Sequence, residues 1–168
     1  RLDLSLDRLV WSHRDSDQTG GAAAVLALQP GVPLLSSLEP EHPLLRVRTA
    51  ANGLAQRCEA GQSWEWDGVR FEVLHPQAQD YLPGARSNSL SCVLRISNGA
   101  QTALMAGDSE AAQEAALLAR VAHQPPAPGR GGLGASVVPA SALHAELLLV
   151  PHHGSKKSPT AAFTDAVS

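Results

Sequence analysis

The stretch SHRDSDQTGG (residues 12–21) places one histidine and two aspartates at alternate positions, directly after the apolar run Leu9–Trp11. Two glycines then interrupt the chain before an alanine-rich helical segment. An apolar strand, a polar loop, a Gly-Gly turn and a helix are typical of α/β folds that present functional side chains at a strand end. Imidazole and carboxylate groups are common ligands of divalent metal ions. The stretch therefore predicts a metal site at the end of a strand.

Length and composition fit one globular domain spanning residues 1–168. No apolar stretch approaches the roughly 18–20 residues needed to cross a bilayer. The formal charge of −3 does not indicate nucleic-acid binding, and it does not exclude it, because a small basic patch suffices. The sequence begins with Arg1 and shows no signal peptide, so we expect a piece of a longer protein.

The two cysteines are Cys58 and Cys92, and neither belongs to a C-x-x-C motif. A thiolate zinc site is therefore not expected. We favour two buried, unpaired thiols, because free cysteine is among the most buried residue types. One disulfide in an oxidising compartment is the alternative.

The hydrophobic pattern predicts an α/β domain in which strand–helix units enclose a run of hairpins. The predicted strands cover residues 8–12, 32–36, 55–59, 63–66, 69–74, 90–96, 101–106 and a buried strand at 145–150. The predicted helices cover residues 19–29, 109–121 with Ser109 as N-cap, and 158–167 with Ser158 as N-cap. Residues 39–54 are predicted to form a loop with one short helical turn, and residues 124–139 a flexible Gly/Pro-rich insertion.

Side chains of the types that bind metal ions follow three separate predicted strands. In folds of this class, functional strand ends lie at one edge of a sheet. They are His13, Asp15 and Asp17 after the first strand, Asp108 after Gly107, and the pair His152 and His153 near the C-terminus. Each residue alone has an ordinary explanation as a turn residue or a helix cap. Their joint occurrence at three strand ends favours a metal site.

The spacing also predicts how two ions would share these ligands. His13 and Asp15 face a first ion, Asp17 faces a second, and Asp108 bridges them, since Gly107 leaves room for close approach. Either His152 or His153 completes the coordination of the second ion. The oxygen-rich set favours Mn²⁺ over Zn²⁺.

Two further segments offer polar groups to a phosphate. Ser155, Lys156 and Lys157 precede the last predicted helix, where hydroxyl and ammonium groups suit an anion. Asn88 and Ser89 lie in a loop that is expected near the first ion. For both segments an ordinary solvated turn is an equally good interpretation.

Five segments, in order, resemble the C-terminal metallo-β-lactamase-like domain of the ComEC family of DNA internalization competence proteins. They are SHRDSDQTGG at 12–21, CEAGQSWEWDGVRFEVLHP at 58–76, NSLSCVLRI at 88–96, GD at 107–108 and VPHHGS at 150–155. The resemblance runs from about residue 9 to residue 167, which is nearly the whole chain.

This resemblance implies an αββα metallo-β-lactamase-like fold that is incomplete on its N-terminal side. It implies that the domain belongs to a polytopic inner-membrane protein that passes one DNA strand into the cytoplasm. The domain itself is then expected on the periplasmic side, as a nuclease that degrades the non-transported strand. The implied cofactors are two divalent ions, Mn or Zn, without a small-molecule organic cofactor. Asp17 and Asp108 take the catalytic roles, and the partners are DNA and the channel portion of the same polypeptide.

Gln18 departs from the family pattern, which has histidine at this position as a ligand of the second ion. The amide oxygen of Gln18 is a neutral and weaker donor, so the second ion is expected to bind less tightly. A DNA-guiding module without turnover is therefore one alternative. A different hydrolase of the same fold is another, because a fold alone does not fix a substrate.

Overall fold

The computed structural model describes residues 5–50, 55–123, 143–156 and 158–168, which form two β-sheets with helices outside them. The first sheet is parallel, in the order β1 (Leu9–Trp11), β2 (Leu34–Ser36), β3 (Ala55–Arg57). The second has the order β4 (Ser63–Trp66), β5 (Val69–His75), β6 (Val93–Ser97), β7 (Thr102–Met105), β8 (Leu147–Leu149). The helices are α1 (Ser16–Thr19), α2 (Ala22–Leu28), α3 (Pro43–Ala50), α4 (Ala111–His123) and α5 (Ala161–Val167), and 3₁₀ turns cover Ala78–Asp80, Asn88–Leu90 and Pro151–Gly154.

Alternation along the strands divides the core into three apolar layers. Leu35 of β2 faces the second sheet and packs with Val73 and Leu94. The opposite face of the first sheet packs under α2 and α3, and the opposite face of the second packs under α4 and α5. Helix, sheet, sheet and helix therefore form successive layers, which confirms the predicted αββα arrangement.

Strand direction brings the functional ends to one edge. β1 and β2 are parallel, β7 and β8 are parallel, and β6 runs antiparallel to β7, so β6 begins where β7 ends. Backbone hydrogen bonds join these ends: Cys92 N–H donates to Ser12 O (2.9 Å), and His152 N–H donates to Gly107 O (3.1 Å). The loops after β1, β7 and β8 thereby meet the start of β6.

The predicted strands 63–66 and 69–74 form an antiparallel hairpin that turns at Asp67-Gly68. Both residues have positive φ, 49° and 78°, as a two-residue turn of this type requires. The turn aligns Trp64 with Phe71, whose rings stack 5.2 Å apart. The Arg8 guanidinium lies 4.3 Å from the Trp64 ring centre, which ties the first sheet to the second.

Several local predictions were wrong. Residues 39–54 contain the eight-residue helix α3, because Pro43 suits a first helical turn and Leu45 packs into the core. The predicted helix 19–29 is divided in two at Gly20 and Gly21. Ser109 does not cap α4; its hydroxyl donates to Ala106 O.

The N-cap of α5 is Thr160, whose hydroxyl accepts from Phe163 N–H, and not Ser158. Residues 124–139 of the predicted insertion lie outside the described part of the chain. No helix among the described residues is both long enough and apolar enough to cross a membrane.

The favoured prediction of two free thiols was also wrong. Cys58 and Cys92 form a disulfide, with their Cα atoms 6.1 Å apart and both residues buried between the sheets. The pairing arises because β3 ends and β6 begins at the same edge, in different sheets. A separation of 34 residues gives no local sign of that proximity.

The strand β8 is not buried as predicted. Leu147 and Leu149 are 65% and 56% exposed, on the same face as Met105. Leu149 and Met105 line a cavity with Val10 of β1, so this face points toward the first sheet, which has three strands among the described residues. The other face, at Leu148, packs under the helices.

A buried carboxyl group fixes α4 to the start of α5. Glu114 is fully buried, and it accepts hydrogen bonds from the Ser158 hydroxyl and from Thr160 N–H, the latter at 2.8 Å. Two donors at the entry to α5 are therefore satisfied by one side chain. Buried donors left without such an acceptor are costly.

Replacing Glu114 with alanine should destabilise the chain by about 2–4 kcal/mol. The change opens a cavity and leaves the Ser158 hydroxyl and Thr160 N–H without their acceptor. Glu114→Gln retains an acceptor for Thr160 N–H and should cost less than half as much. Urea denaturation followed by circular dichroism measures both. Equal losses for the two variants would contradict the assigned role of the carboxyl group.

The two faces of β8 should respond differently to charge. Leu147→Lys should change the free energy of unfolding by less than about 0.5 kcal/mol and reduce the binding of an apolar dye, because the side chain is exposed. Leu148→Lys, one position along, should cost about 2 kcal/mol or more by burying an ammonium group against α4 and α5. The reverse order in thermal or urea denaturation would show that the faces are assigned wrongly.

Candidate metal centre

The imidazole of His13 lies at the centre of the cluster. The residue follows β1 and is fully buried, and among the described residues its Nε2 atom has no hydrogen-bond partner. That atom lies 3.8 Å from Asp15 Oδ2 and 3.7 Å from Asp108 Oδ2. A buried ring nitrogen that faces two carboxylates without a bond to either has the geometry of a metal ligand.

Asp108 reaches this position because a glycine precedes it. Gly107 has φ of +57°, and a Cβ atom there would lie 2.2 Å from Ser12 Oγ and 3.0 Å from Ser91 Cβ. Only glycine fits both the conformation and the space. The carboxylate that follows is 6% exposed and directed at His13, as the sequence predicted.

The two C-terminal histidines point in different directions. His153 Nε2 lies 2.9 Å from Asp17 Oδ2 and 3.7 Å from Asp108 Oδ2. His152 instead contacts Asn88, whose amide nitrogen is 3.4 Å from its Nε2 atom, and the Ser155 hydroxyl. The geometry therefore favours His153 over His152 as the ligand.

Two groups of potential ligand atoms result, each with all its atoms within 4.8 Å of one another. One comprises His13, Asp15 and Asp17, and the other comprises Asp17, Asp108 and His153. Asp17 belongs to both groups, so its carboxylate is placed to bridge two ions, the role predicted from the sequence for Asp108. Imidazole nitrogens and carboxylate oxygens together suit Mn²⁺, Zn²⁺ or Fe²⁺, so the residues fit a divalent metal ion.

The electrostatics of the cluster favour metal binding. Burial lowers the pKa of His13, and this outweighs the neighbouring carboxylates of Asp108, Asp15 and Asp17, which raise it. The ring is therefore neutral near pH 7, which is the form that binds a metal. The hydrogen bond from His153 lowers the pKa of Asp17, so this carboxylate stays ionised under mildly acidic conditions.

Gln18, predicted as a weakened ligand, lies beside Asp17, which belongs to both groups. Its amide nitrogen lies 3.3 Å from Asp17 Oδ2. The rest of the side chain lines a cavity of about 140 Å³ with Met105 and Leu149, beside the exposed face of the second sheet. The amide nitrogen of this glutamine therefore donates to one of the candidate metal ligands, Asp17.

The structure describes most, but not all, of the residues predicted to contact phosphate. Lys156, three residues after His153, is exposed, whereas Lys157 lies outside the described residues. Asn88 reaches His152, as noted, and Ser155 does too. The Ser89 hydroxyl turns away and donates to Arg86 O.

Sequence reasoning missed two residues that support the site. Ser91 is fully buried, and its hydroxyl oxygen accepts from Asp108 N–H at 3.0 Å. His75 is 3% exposed, and its Nε2–H donates to Ser89 O at 2.9 Å, which holds the 3₁₀ turn Asn88–Leu90 against β5. The position of His75 at the end of a strand was a usable signal; Ser91 gave none.

Comparison with known proteins was made by sequence and by structure. No family model matches the chain. Competence protein ComA of Neisseria gonorrhoeae is 34% identical over 163 residues, 97% of this chain and 19% of that protein. Recombination protein 2 of Haemophilus influenzae (strain Rd) is 30% identical over 158 residues, 94% of this chain and 16% of that protein. The predicted resemblance to the ComEC family is confirmed.

The chain is thus homologous to one segment of each of these two proteins, and it spans less than a fifth of their length. The Uncharacterized protein YcaI of Escherichia coli K12 is likewise 30% identical over 93% of this chain. Similar solved structures include the metallo-beta-lactamase fold protein YhfI from Bacillus subtilis (TM-score 0.44, 13% identity, 62% of this chain and 42% of that chain). Another is a possible metal-dependent hydrolase from Veillonella parvula (TM-score 0.43, 12% identity, 68% and 45%).

Loss of His153 should weaken metal binding far more than loss of His152. We expect His153→Ala to reduce affinity for Mn²⁺ or Zn²⁺ by at least roughly 10–100-fold, the range already seen when groups supporting a ligand are lost. His152→Ala, in the adjacent residue, should change it by a few-fold at most. Isothermal titration of the two variants measures the difference, and a larger loss for His152→Ala would reverse the assignment.

Proposed function

We propose that this chain is a metal-dependent hydrolase domain that cleaves phosphodiester bonds of DNA, specifically in the non-transported strand during DNA uptake. The observation that carries the proposal is the buried His13 Nε2 atom, unpartnered among the described residues and faced by the carboxylates of Asp15 and Asp108. Divalent ions held in this cluster would supply activated water and neutralise charge on the phosphate.

The protein side chains have distinct tasks in this proposal. His13 and Asp15 hold a first ion, and Asp108 and His153 hold a second. Asp17 takes part in both groups. Its lowered pKa makes it a weak proton acceptor near neutral pH, so we assign it to holding and orienting, not to general base catalysis.

Substrate phosphate would approach from the solvent side of the cluster. Asp17 and His153 are exposed there, with side chains 46% and 67% accessible. Lys156 follows His153 closely and offers an ammonium group to a DNA phosphate, while Asn88 offers an amide. Such charged contacts make binding depend on salt.

The metal ions are proposed to be Mn²⁺ or Zn²⁺. Three carboxylates and two imidazoles form the candidate set, and carboxylate-rich sites favour Mn²⁺. The names of the relatives, a competence protein and a recombination protein, support DNA as the substrate class. A membrane channel in the same polypeptide and a periplasmic location for this domain are parts of the same proposal.

The position of Gln18 supports a second candidate function. Its amide nitrogen donates to Asp17, a member of both ligand groups, and a neutral amide stands where the family pattern has a histidine ligand of the second ion. A domain with a weak second site would bind and guide DNA without cutting it. Such a module should bind single-stranded DNA with steep salt dependence and show no turnover.

The hydrolase proposal is tested with the purified chain, Mn²⁺ and end-labelled linear DNA, single-stranded and double-stranded. We expect metal-dependent cleavage that chelation abolishes and that Asp108→Asn lowers by at least roughly 100-fold. Asp165→Asn, an exposed aspartate on α5, is the matched control and should retain full activity. Absence of cleavage by folded chain shown to contain metal would reject the hydrolase proposal.

Gln18→His separates the two candidates. In a hydrolase limited by its second site, this change should raise the cleavage rate at low Mn²⁺ by roughly 10-fold or more, since a ligand is added. Gln18→Asn, which keeps an amide, serves as the control. If unmodified chain binds DNA without cutting and Gln18→His restores cleavage, the guiding module is correct. If neither form cuts, the loss of activity is not due to Gln18.

A further inference from the structure

We infer that Ser12 and Ser91 are positioning residues that hold the His13 ring with its proton on Nδ1, leaving the Nε2 lone pair free for a metal ion. This inference rests on the metal site of the proposed function and extends it. The hydrogen bonds of the two serine hydroxyls go to His13 Nδ1 and, from Ser91, to the main chain of Asp108. Both act through the far side of the imidazole.

The geometry around Nδ1 is specific. The Ser12 hydroxyl lies 3.2 Å from His13 Nδ1, and the Ser91 hydroxyl lies 3.4 Å from the same atom. Both His13 and Ser91 are fully buried, so water does not replace these partners. Nδ1 therefore has two hydroxyl oxygens as potential acceptors, in the part of the chain that the structure describes.

The two ring nitrogens differ in what they face. A neutral imidazole carries one N–H, and the hydrogen bond at one nitrogen decides which nitrogen is protonated. A proton on Nε2 would be buried with carboxylate oxygens 3.7 and 3.8 Å away, too far for a hydrogen bond. Serine hydroxyls can donate or accept at Nδ1, but only a proton on Nδ1 has an acceptor oxygen within hydrogen-bond distance, and this tautomer leaves the Nε2 lone pair free.

Ser91 also connects His13 to a second ligand. Its hydroxyl oxygen accepts from Asp108 N–H at 3.0 Å, which uses one lone pair and leaves the other for His13. Its Cβ atom packs against Gly107, where an added Cβ would come within 3.0 Å. One buried hydroxyl thus sets the distance between the imidazole and the main chain that carries Asp108.

The backbone holds both serines in place. Cys92 N–H donates to Ser12 O (2.9 Å), and Ser91 N–H donates to Asn88 O (3.1 Å). The start of β6 and the loop after β1 are therefore joined at the point where the two hydroxyls converge. These hydrogen bonds involve main-chain atoms of the protein alone, as preorganisation of a metal ligand requires.

The direct test measures the tautomer in metal-free chain. Long-range ¹H–¹⁵N spectra of ¹⁵N-labelled protein distinguish the two ring nitrogens, and comparison with His13→Gln identifies the His13 signals. We expect Nδ1–H in the unmodified chain and a shift toward Nε2–H in Ser12→Ala/Ser91→Ala. Nε2–H in the unmodified chain, or unchanged Nδ1–H in the double variant, would overturn the inference.

Metal affinity provides the second readout, with Zn²⁺ alone as the probe. We expect each single variant to weaken Zn²⁺ binding and the double variant to weaken it by roughly 10–100-fold. The control is Ser158→Ala, which removes another buried hydroxyl, bonded to Glu114 on the opposite side of the second sheet. It should lower stability and leave both the tautomer and the Zn²⁺ affinity unchanged.

These outcomes separate this inference from the proposed function. If the unmodified chain does not bind Zn²⁺, the metal site fails, while the tautomer measured without metal still tests the roles of Ser12 and Ser91. If the double variant does not fold, the two single variants carry the test. Equal losses of affinity in Ser158→Ala and the serine variants would reduce the effect to stability and overturn the positioning role.

Discussion

Three carboxylates and two imidazoles occupy one edge of this molecule, and their mutual charges constrain everything around them. Asp15, Asp17 and Asp108 all lie within about 4 Å of a histidine nitrogen. Like charges this close repel one another, and burial of Asp108 and His13 adds a desolvation cost. Divalent cations would offset both costs. At that edge the disulfide joins the end of β3 to the start of β6, and backbone and serine contacts join the ends of β1, β7 and β8 to it.

The clustering of most candidate ligands could be predicted because their positions follow from strand direction. His13, Asp17 and Asp108 follow strands that run toward the same edge, so local sequence and the strand-end rule were enough. The choice between His152 and His153 could not be made in this way. Both residues have left-handed backbone conformations, and their directions depend on contacts with Asp17 and Asn88 that are distant in sequence.

The remaining errors share a physical origin in the packing between elements. The exposure of Leu147 depends on how many strands the opposite sheet has, which no property of β8 reveals. The Cys58–Cys92 bond depends on two sheets meeting, and Ser91 matters only because β6 starts beside Gly107. Serine, cysteine and leucine are ordinary residues in such segments. Their roles are set by neighbours that periodicity does not encode.

The central claim is that these residues form a divalent metal centre, and anomalous diffraction tests it most directly. Crystals of the chain soaked in Mn²⁺ should show one peak bonded to His13 Nε2 and Asp15, and a second, weaker peak bonded to Asp108 and His153. Weaker occupancy at the second position is expected because Gln18 offers a neutral amide where the family pattern has a histidine ligand. An ordered cluster with no anomalous peak at His13 Nε2 at millimolar Mn²⁺ would contradict the account.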